Sequence, residues 1–340
     1  MSKIDTKRQT IDAYSVLKGV SILFVVSIHV LYKFHGADKP KLLEAFNYVI
    51  GFAVPLFMII GGFFLTTKLE NINSAEDIKL YFKHLFKRIL VPYYIFCLIL
   101  TLFQFLTNRK VSLDPFLLIG ANAHGLYFII TYVYAYAIAG LLFYIITAFS
   151  KLDKRITLFI ILPLIGFVFF PLNYISYFIA GFPMRFICRK LSPLKFLDKM
   201  KILSIIIAFC FMYTWILYSL KENYGKTFLY SGNSPTLLLL IYSICVFLIL
   251  YIILNEINIL VAIGKKLLID RFGEQSLFVF YIHPYFMYLL PDIFNTLHLK
   301  SIINTNMFVF PWIILTYLIT LISLKIYDIL PVRIQKIFSR

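Results

Sequence analysis

Charge is scarce in this sequence. Asp, Glu, Lys and Arg make up 14% of its 340 residues, against about a quarter in soluble domains. That is too little to cover the surface of a water-soluble fold of this length. Strand periodicity is missing too, which leaves helices as the way to satisfy a backbone placed in lipid. No loop is long enough to fold as a separate domain, and the chain has neither an internal repeat nor a low-complexity tract. The four cysteines, Cys97, Cys188, Cys210 and Cys245, lie in or beside apolar runs without metal-ligand spacing. They read as small core- or lipid-facing residues, and no metal is expected. No small-residue cleavage site follows the first apolar segment, so it reads as a retained helix rather than a removed signal peptide.

What fills the chain is apolar: 61% of its residues. Several runs approach or exceed about 18 residues, the length that crosses a hydrocarbon core. The expected fold is all-α, a polytopic membrane bundle in one domain over 1–340. Its ten or so helices fall near 16–32, 46–66, 89–107, 125–148, 156–172, 174–189, 202–220, 236–258, 275–293 and 307–330. The fifth and sixth, joined at Pro171–Asn173, also fit one interrupted span. With the N-terminus inside, inner segments hold 22 Lys and Arg and outer loops hold 8. That asymmetry predicts two cytoplasmic termini. It also accounts for the formal charge of +17. No basic domain stands clear of the membrane segments, so nucleic acid is not an expected partner.

Polar groups inside lipid cost about 2.5–3.5 kcal/mol each on insertion scales, so they are the candidates for function. The first helix, VLKGVSILFVVSIH, carries Lys18 and His29 eleven positions apart. Eleven residues are three turns plus about 20°, so both project from one face, roughly 16 Å apart along the axis. Taken alone, Lys18 also fits a snorkelling helix end and His29 a helix–helix hydrogen bond. The second helix contains Pro55 and Gly61-Gly62, which suit a kink and a close backbone approach. The inner loop ends in YFKHLFKRILVPYY, placing Lys83, His84, Lys87 and Arg88 before Pro92. Such a cluster beside a helix start suits phosphate, and it equally suits positive-inside charge. The fourth helix opens with His124, Tyr127, Tyr132, Tyr134 and Tyr136, residues of an interfacial belt or a sugar-binding groove. The ninth carries Ser276, Tyr281 and His283 within two turns, before Pro284. His283 lies about 10 Å along its helix, so the two imidazoles of His29 and His283 are expected to meet at similar depth.

In this order, these segments resemble the membrane-bound acyltransferase-3 family, which includes O-acetyltransferases of bacterial surface glycans. The basic residue, ten residues, then His of its first helix is matched by Lys18 and His29. VPLFMIIGGFFL, KHLFKRILVPYY, HGLYFIITYVY and FGEQSLFVFYIH are similar to its later signatures. Three positions depart from the usual residues: Lys18 stands for Arg, Gly61 for Ser and Tyr127 for Trp. The resemblance implies transfer of an acyl group, most often acetyl from acetyl-CoA, to a glycan hydroxyl. Acyl-CoA would be a co-substrate and no cofactor would be resident. The other partners implied are a glycan or lipid-linked saccharide and membrane lipids. Lys83, Lys87 and Arg88, with Lys18, would hold the CoA phosphates, and the pantetheine arm would run toward His29. His29 would act as general base or transient acyl carrier. His283 would assist, and Tyr127, Tyr134, Ser276 and Tyr281 would orient the base or contact substrate. The alternative from another class is a transporter, flippase or exporter of a lipid-linked saccharide.

Overall fold

Proline and capping residues set where the helices bend and begin. The computed structural model describes residues 3–35, 40–106, 127–150, 153–169, 174–224, 237–298 and 300–338. The helices run in chain order as follows. The first three are α1 (Lys3–His35), α2 (Lys41–Ile50) and α3 (Ala53–Glu70). Next are α4 (Ala75–Leu85), α5 (Val91–Leu106), α6 (Tyr127–Ser150), α7 (Lys154–Ile156), α8 (Leu162–Phe169) and α9 (Tyr174–Leu191). The last are α10 (Phe196–Tyr224), α11 (Leu237–Glu256), α12 (Asn258–Lys266), α13 (Ile269–Glu274), α14 (Ser276–Thr296), α15 (Lys300–Ile303), α16 (Val309–Ile329) and α17 (Val332–Phe338). No strand occurs among the described residues. Each expected span is mostly helical where it is described, but the second, expected over 46–66, is broken by a turn at Gly51–Phe52 into α2 and α3, and Ile257 interrupts the end of the eighth. Residues 171–173, which join the fifth and sixth expected spans, lie outside the described residues.

Among the described residues, six stretches are long and apolar enough to cross a membrane: Asp12–His35, Lys41–Glu70, Ala75–Leu106, Ile129–Phe149, Leu239–Glu256 and Asn306–Ile329. Ser276–Met287 is a shorter apolar helix of the same kind. The protein is an all-α integral membrane protein. Its contacts divide into two units, Met1–Phe57 with Leu194–Arg340, and Met58–Pro193.

In the first unit α1 is the central post. α13 crosses it at a glycine pair: a Cβ on Gly19 would stand 1.8 Å from the Ile269 carbonyl oxygen, and one on Gly273 1.8 Å from that of Ser15. Only glycine permits that backbone approach. Trp312 of α16 fixes the other half of α1, its indole N–H donating to the Ser27 carbonyl at 2.9 Å. Ion pairs join one end of the unit: Lys265 with Asp12, Arg271 with Asp328 at 2.6 Å, and Lys199 with Glu256 at 2.6 Å. Asp12, Lys199, Lys265 and Arg271 come from segments that the charge count assigns to one side, and Glu256 and Asp328 from the ends of the helices expected to reach that side.

In the second unit α3 and α9 meet through Gly62 and Gly181. Cβ atoms there would lie 1.8 Å from the Phe178 oxygen and 2.1 Å from the Ile59 oxygen. The Gly61-Gly62 pair thus serves close helix packing. α4 starts on a reciprocal cap, the Ser74 hydroxyl accepting from the Asp77 N–H while the Asp77 carboxylate accepts from the Ser74 N–H. Two π-helical turns follow one rule. Phe86–Leu90 closes with the Val91 N–H on the Phe86 carbonyl, and Thr157–Ile161 with the Leu162 N–H on the Thr157 carbonyl. Each is followed at once by a proline, Pro92 and Pro163. Proline lacks an N–H and its ring crowds the carbonyl four residues back, so the preceding turn widens. The first widened turn carries Lys87 and Arg88.

Candidate functional site

His29 and His283 meet. The imidazole Nδ1 of His29 lies 2.7 Å from Nε2 of His283, on α1 and α14 of the first unit. The rings are parallel to within 3°, with centroids 4.9 Å apart. That separation is close to the hydrogen bond plus the two ring radii, so the rings meet edge to edge rather than face over face. His283 is fully buried, with 0% exposure, whereas His29 is half-buried. Phe280 stands edge-on to His283, with centroids 5.2 Å apart, and Phe57 packs against Phe280.

Carbonyl groups fix which nitrogen of each ring holds a proton. Nδ1 of His283 lies 3.2 Å from the Val279 carbonyl oxygen. Pro284 has no N–H, so the Phe280 carbonyl loses its helical donor, and that carbonyl also acts on the His283 ring. Carbonyl oxygens only accept, so Nδ1 of His283 is protonated and its Nε2 offers a lone pair. His29 Nδ1–H therefore donates to it. The remaining nitrogen, Nε2 of His29, is left with a lone pair and is the group able to take a proton. The geometry makes His29 the donor in the pair, with its Nε2 lone pair unused by it, and His283 the acceptor held by a backbone carbonyl.

The other residues on these two helices do not all join the pair. Lys18 is half-buried on α1, one face with His29. Tyr281 is fully buried, yet it lies two residues before His283, about 200° around the helix. Its ring faces Phe338 of α17, with centroids 6.4 Å apart. Ser276 is half-buried in the first turn of α14.

In the second unit, Lys83, His84 and Lys87 are exposed and Arg88 is half-buried. His84 lies in the electrostatic field of Arg88, Lys68, Lys83 and Lys87, all positive. Lys68, near the end of α3, sits with its ammonium 5.8 Å over the Tyr136 ring. Tyr134 is exposed at 44%. The side chain of Tyr127, like His124, lies outside the described residues. Gly61 stands where the resemblance leads one to expect Ser. A Cβ there would lie 2.6 Å from Tyr132 Cε2 and 2.9 Å from its hydroxyl, so the tyrosine ring takes the space.

Among the described residues no group of three or more His, Cys, Asp or Glu is placed to hold a metal ion. No curated protein and no solved structure matches the chain. The family described as an acyltransferase domain does, over residues 11–327, a stretch that takes in both histidines and the basic cluster. The chain therefore belongs to the acyltransferase-3 family of membrane acyltransferases.

Proposed function

We propose that this acyltransferase moves an acyl group, acetyl in the first instance, from acyl-CoA to a hydroxyl of a cell-envelope or lipid-linked glycan. We place it in the bacterial inner membrane with both termini cytoplasmic. The observation that carries the reading is the His29–His283 bond, which leaves one imidazole nitrogen poised to accept a proton. In the step proposed, Nε2 of His29 takes the proton of the acceptor hydroxyl as its oxygen attacks the thioester carbonyl. The C–O bond forms, the C–S bond breaks, and the departing thiolate takes the proton back from Nε2. The products are an ester and a free CoA thiol. The same nitrogen is the one that would carry the acyl group in a two-step route. Lys83, Lys87 and Arg88 serve the donor phosphates through charge-assisted hydrogen bonds, with Lys18 on the His29 face of α1.

The test is His29→Gln, which keeps hydrogen-bonding capacity without titrating near neutral pH. The variant should accumulate in the membrane and release no CoA thiol from acetyl-CoA. NMR of the surface glycan should show its O-acetyl signals gone, a fall of about 10²–10⁴-fold for lost proton transfer. Normal acetylation in this variant moves the base to His283. Normal acetylation in the His283→Gln variant as well removes the acyltransfer chemistry from this pair and favours a flippase, which changes only the sidedness of its substrate.

A further inference from the structure

The basic residues of the second unit fall into two groups. Arg189 makes two 3.1 Å hydrogen bonds to Glu70, and Arg185 lies 3.9 Å from the same carboxylate. Lys154 donates to the carbonyls of Glu70 and Ile72 and to Asn73 Oδ1. Lys68, His84 and Arg88 have no ion pair and no hydrogen bond among the described residues, although they share one electrostatic field. The acids do not explain this grouping. Glu70 is taken by the arginines, Asp77 caps α4, Asp153 caps α7, and Glu76 faces Lys79. Every described carboxylate of the unit is committed elsewhere.

The cations are nevertheless held in place. Tyr81 fits against Gly140, where a Cβ would lie 2.3 Å from its ring, and its hydroxyl donates to the Tyr136 carbonyl. Its ring stacks on Tyr136 at 15° and 5.8 Å. Tyr132 and Phe178 close the other sides at 5.3 and 5.6 Å. Tyr136 is thus a fixed plate under the Lys68 ammonium, and Arg88 acts on it as well. The Tyr136 hydroxyl makes no hydrogen bond to a described residue. Like charges held together without an acid repel, and a bound anion relieves that repulsion.

We propose that Lys68, at the end of α3, joins His84 and Arg88 in a phosphate-binding cluster positioned by Tyr81 and Tyr136. On the acyltransfer reading above, its ligand is the phosphate-bearing portion of the acyl-CoA donor. The same chemistry would serve an anionic lipid headgroup, and the test separates the two. Purified protein in nanodiscs is titrated with CoA, with 3′-dephospho-CoA and with inorganic pyrophosphate, in neutral lipid and in phosphatidylglycerol. Lys68→Gln should weaken CoA binding about tenfold, Lys68→Arg should restore it, and Lys79→Gln, on the same unit, should leave it unchanged. A smaller loss for dephospho-CoA than for CoA places the 3′-phosphate at this cluster; an equal loss places the pyrophosphate there.

If phosphatidylglycerol weakens pyrophosphate binding in a Lys68-dependent way while CoA binding ignores Lys68, the occupant is a lipid headgroup and the donor assignment is overturned. If the wild type binds no CoA but binds pyrophosphate through Lys68, the phosphate cluster stands and the acyl-CoA reading fails. Unchanged binding of every probe in Lys68→Gln overturns the cluster itself.

Discussion

The histidine pair and the basic cluster solve opposite problems. His29 and His283 sit among apolar and aromatic neighbours, with every ring nitrogen but one tied to a partner. Lys68, His84 and Arg88 sit among like charges, with no ion pair or hydrogen bond to any of them among the described residues. In lipid a polar group is tolerated when its hydrogen bonds close on the protein itself, and the pair does this down to the Val279 backbone carbonyl. The cluster leaves its demand open. A closed network holds one atom in one state, which suits chemistry. An open one leaves its charge unbalanced by the protein, which suits binding.

That contrast can be broken or sharpened by experiment. The largest effect after His29 itself belongs to His283. His283→Phe leaves the His29 N–H without its acceptor and frees the ring to turn, and small misplacements of a base cost about 10²-fold. The loss should appear in kcat with CoA affinity unchanged; a change in affinity alone would give His283 a binding role. Arg88→Ala should do the reverse, raising the Kd for acyl-CoA while kcat at saturating donor holds. One charge-assisted contact is worth about 1.5–3 kcal/mol, roughly 10- to 150-fold. A well-expressed variant with normal affinity would make Arg88 a topology signal only.

Lys18 lies on the His29 face but carries a charge like the cluster. Lys18→Ala should reduce activity and Lys18→Arg should keep it. Full activity in the alanine variant makes the lysine a helix-end marker. The smallest effect is expected at Glu76, exposed and only 3.9 Å from Lys79 across a surface pair. Glu76→Cys should leave turnover intact and resist impermeant thiol reagents in whole cells. It is a better probe than Ser74, whose hydroxyl caps α4. Ready labelling would reverse the orientation and put the basic cluster outside.

Apolar run length located the helices, and charge asymmetry grouped the segments whose ion pairs the structure brings together. The meeting of His29 and His283 was also legible, because depth along a helix follows from residue count. Two further features were written in the sequence but need a third dimension to matter. Tyr281, two residues from His283, had to face the other way on any helix. Pro284 had to free the Phe280 carbonyl, yet only the placement of the ring shows that the neighbouring Val279 carbonyl fixes its tautomer. Lys68 was not legible as more than inner-loop charge. Nothing local distinguishes it from Lys79. Its place over Tyr136 depends on α3 and α6 packing together, and on Gly140 making room for Tyr81.

The carbonyls behind His283 have one more effect. They accept a hydrogen bond but do not take up a proton, so the line from His29 through His283 ends at Val279 and Phe280. A proton taken by His29 has no onward path on that side and returns to the reactants. Imidazoles strung across a membrane can act as a wire that drains an ion gradient. Here the wire is one bond long and earthed to nothing, so the acyl transfer proposed at His29 would move no charge along it in an energised membrane.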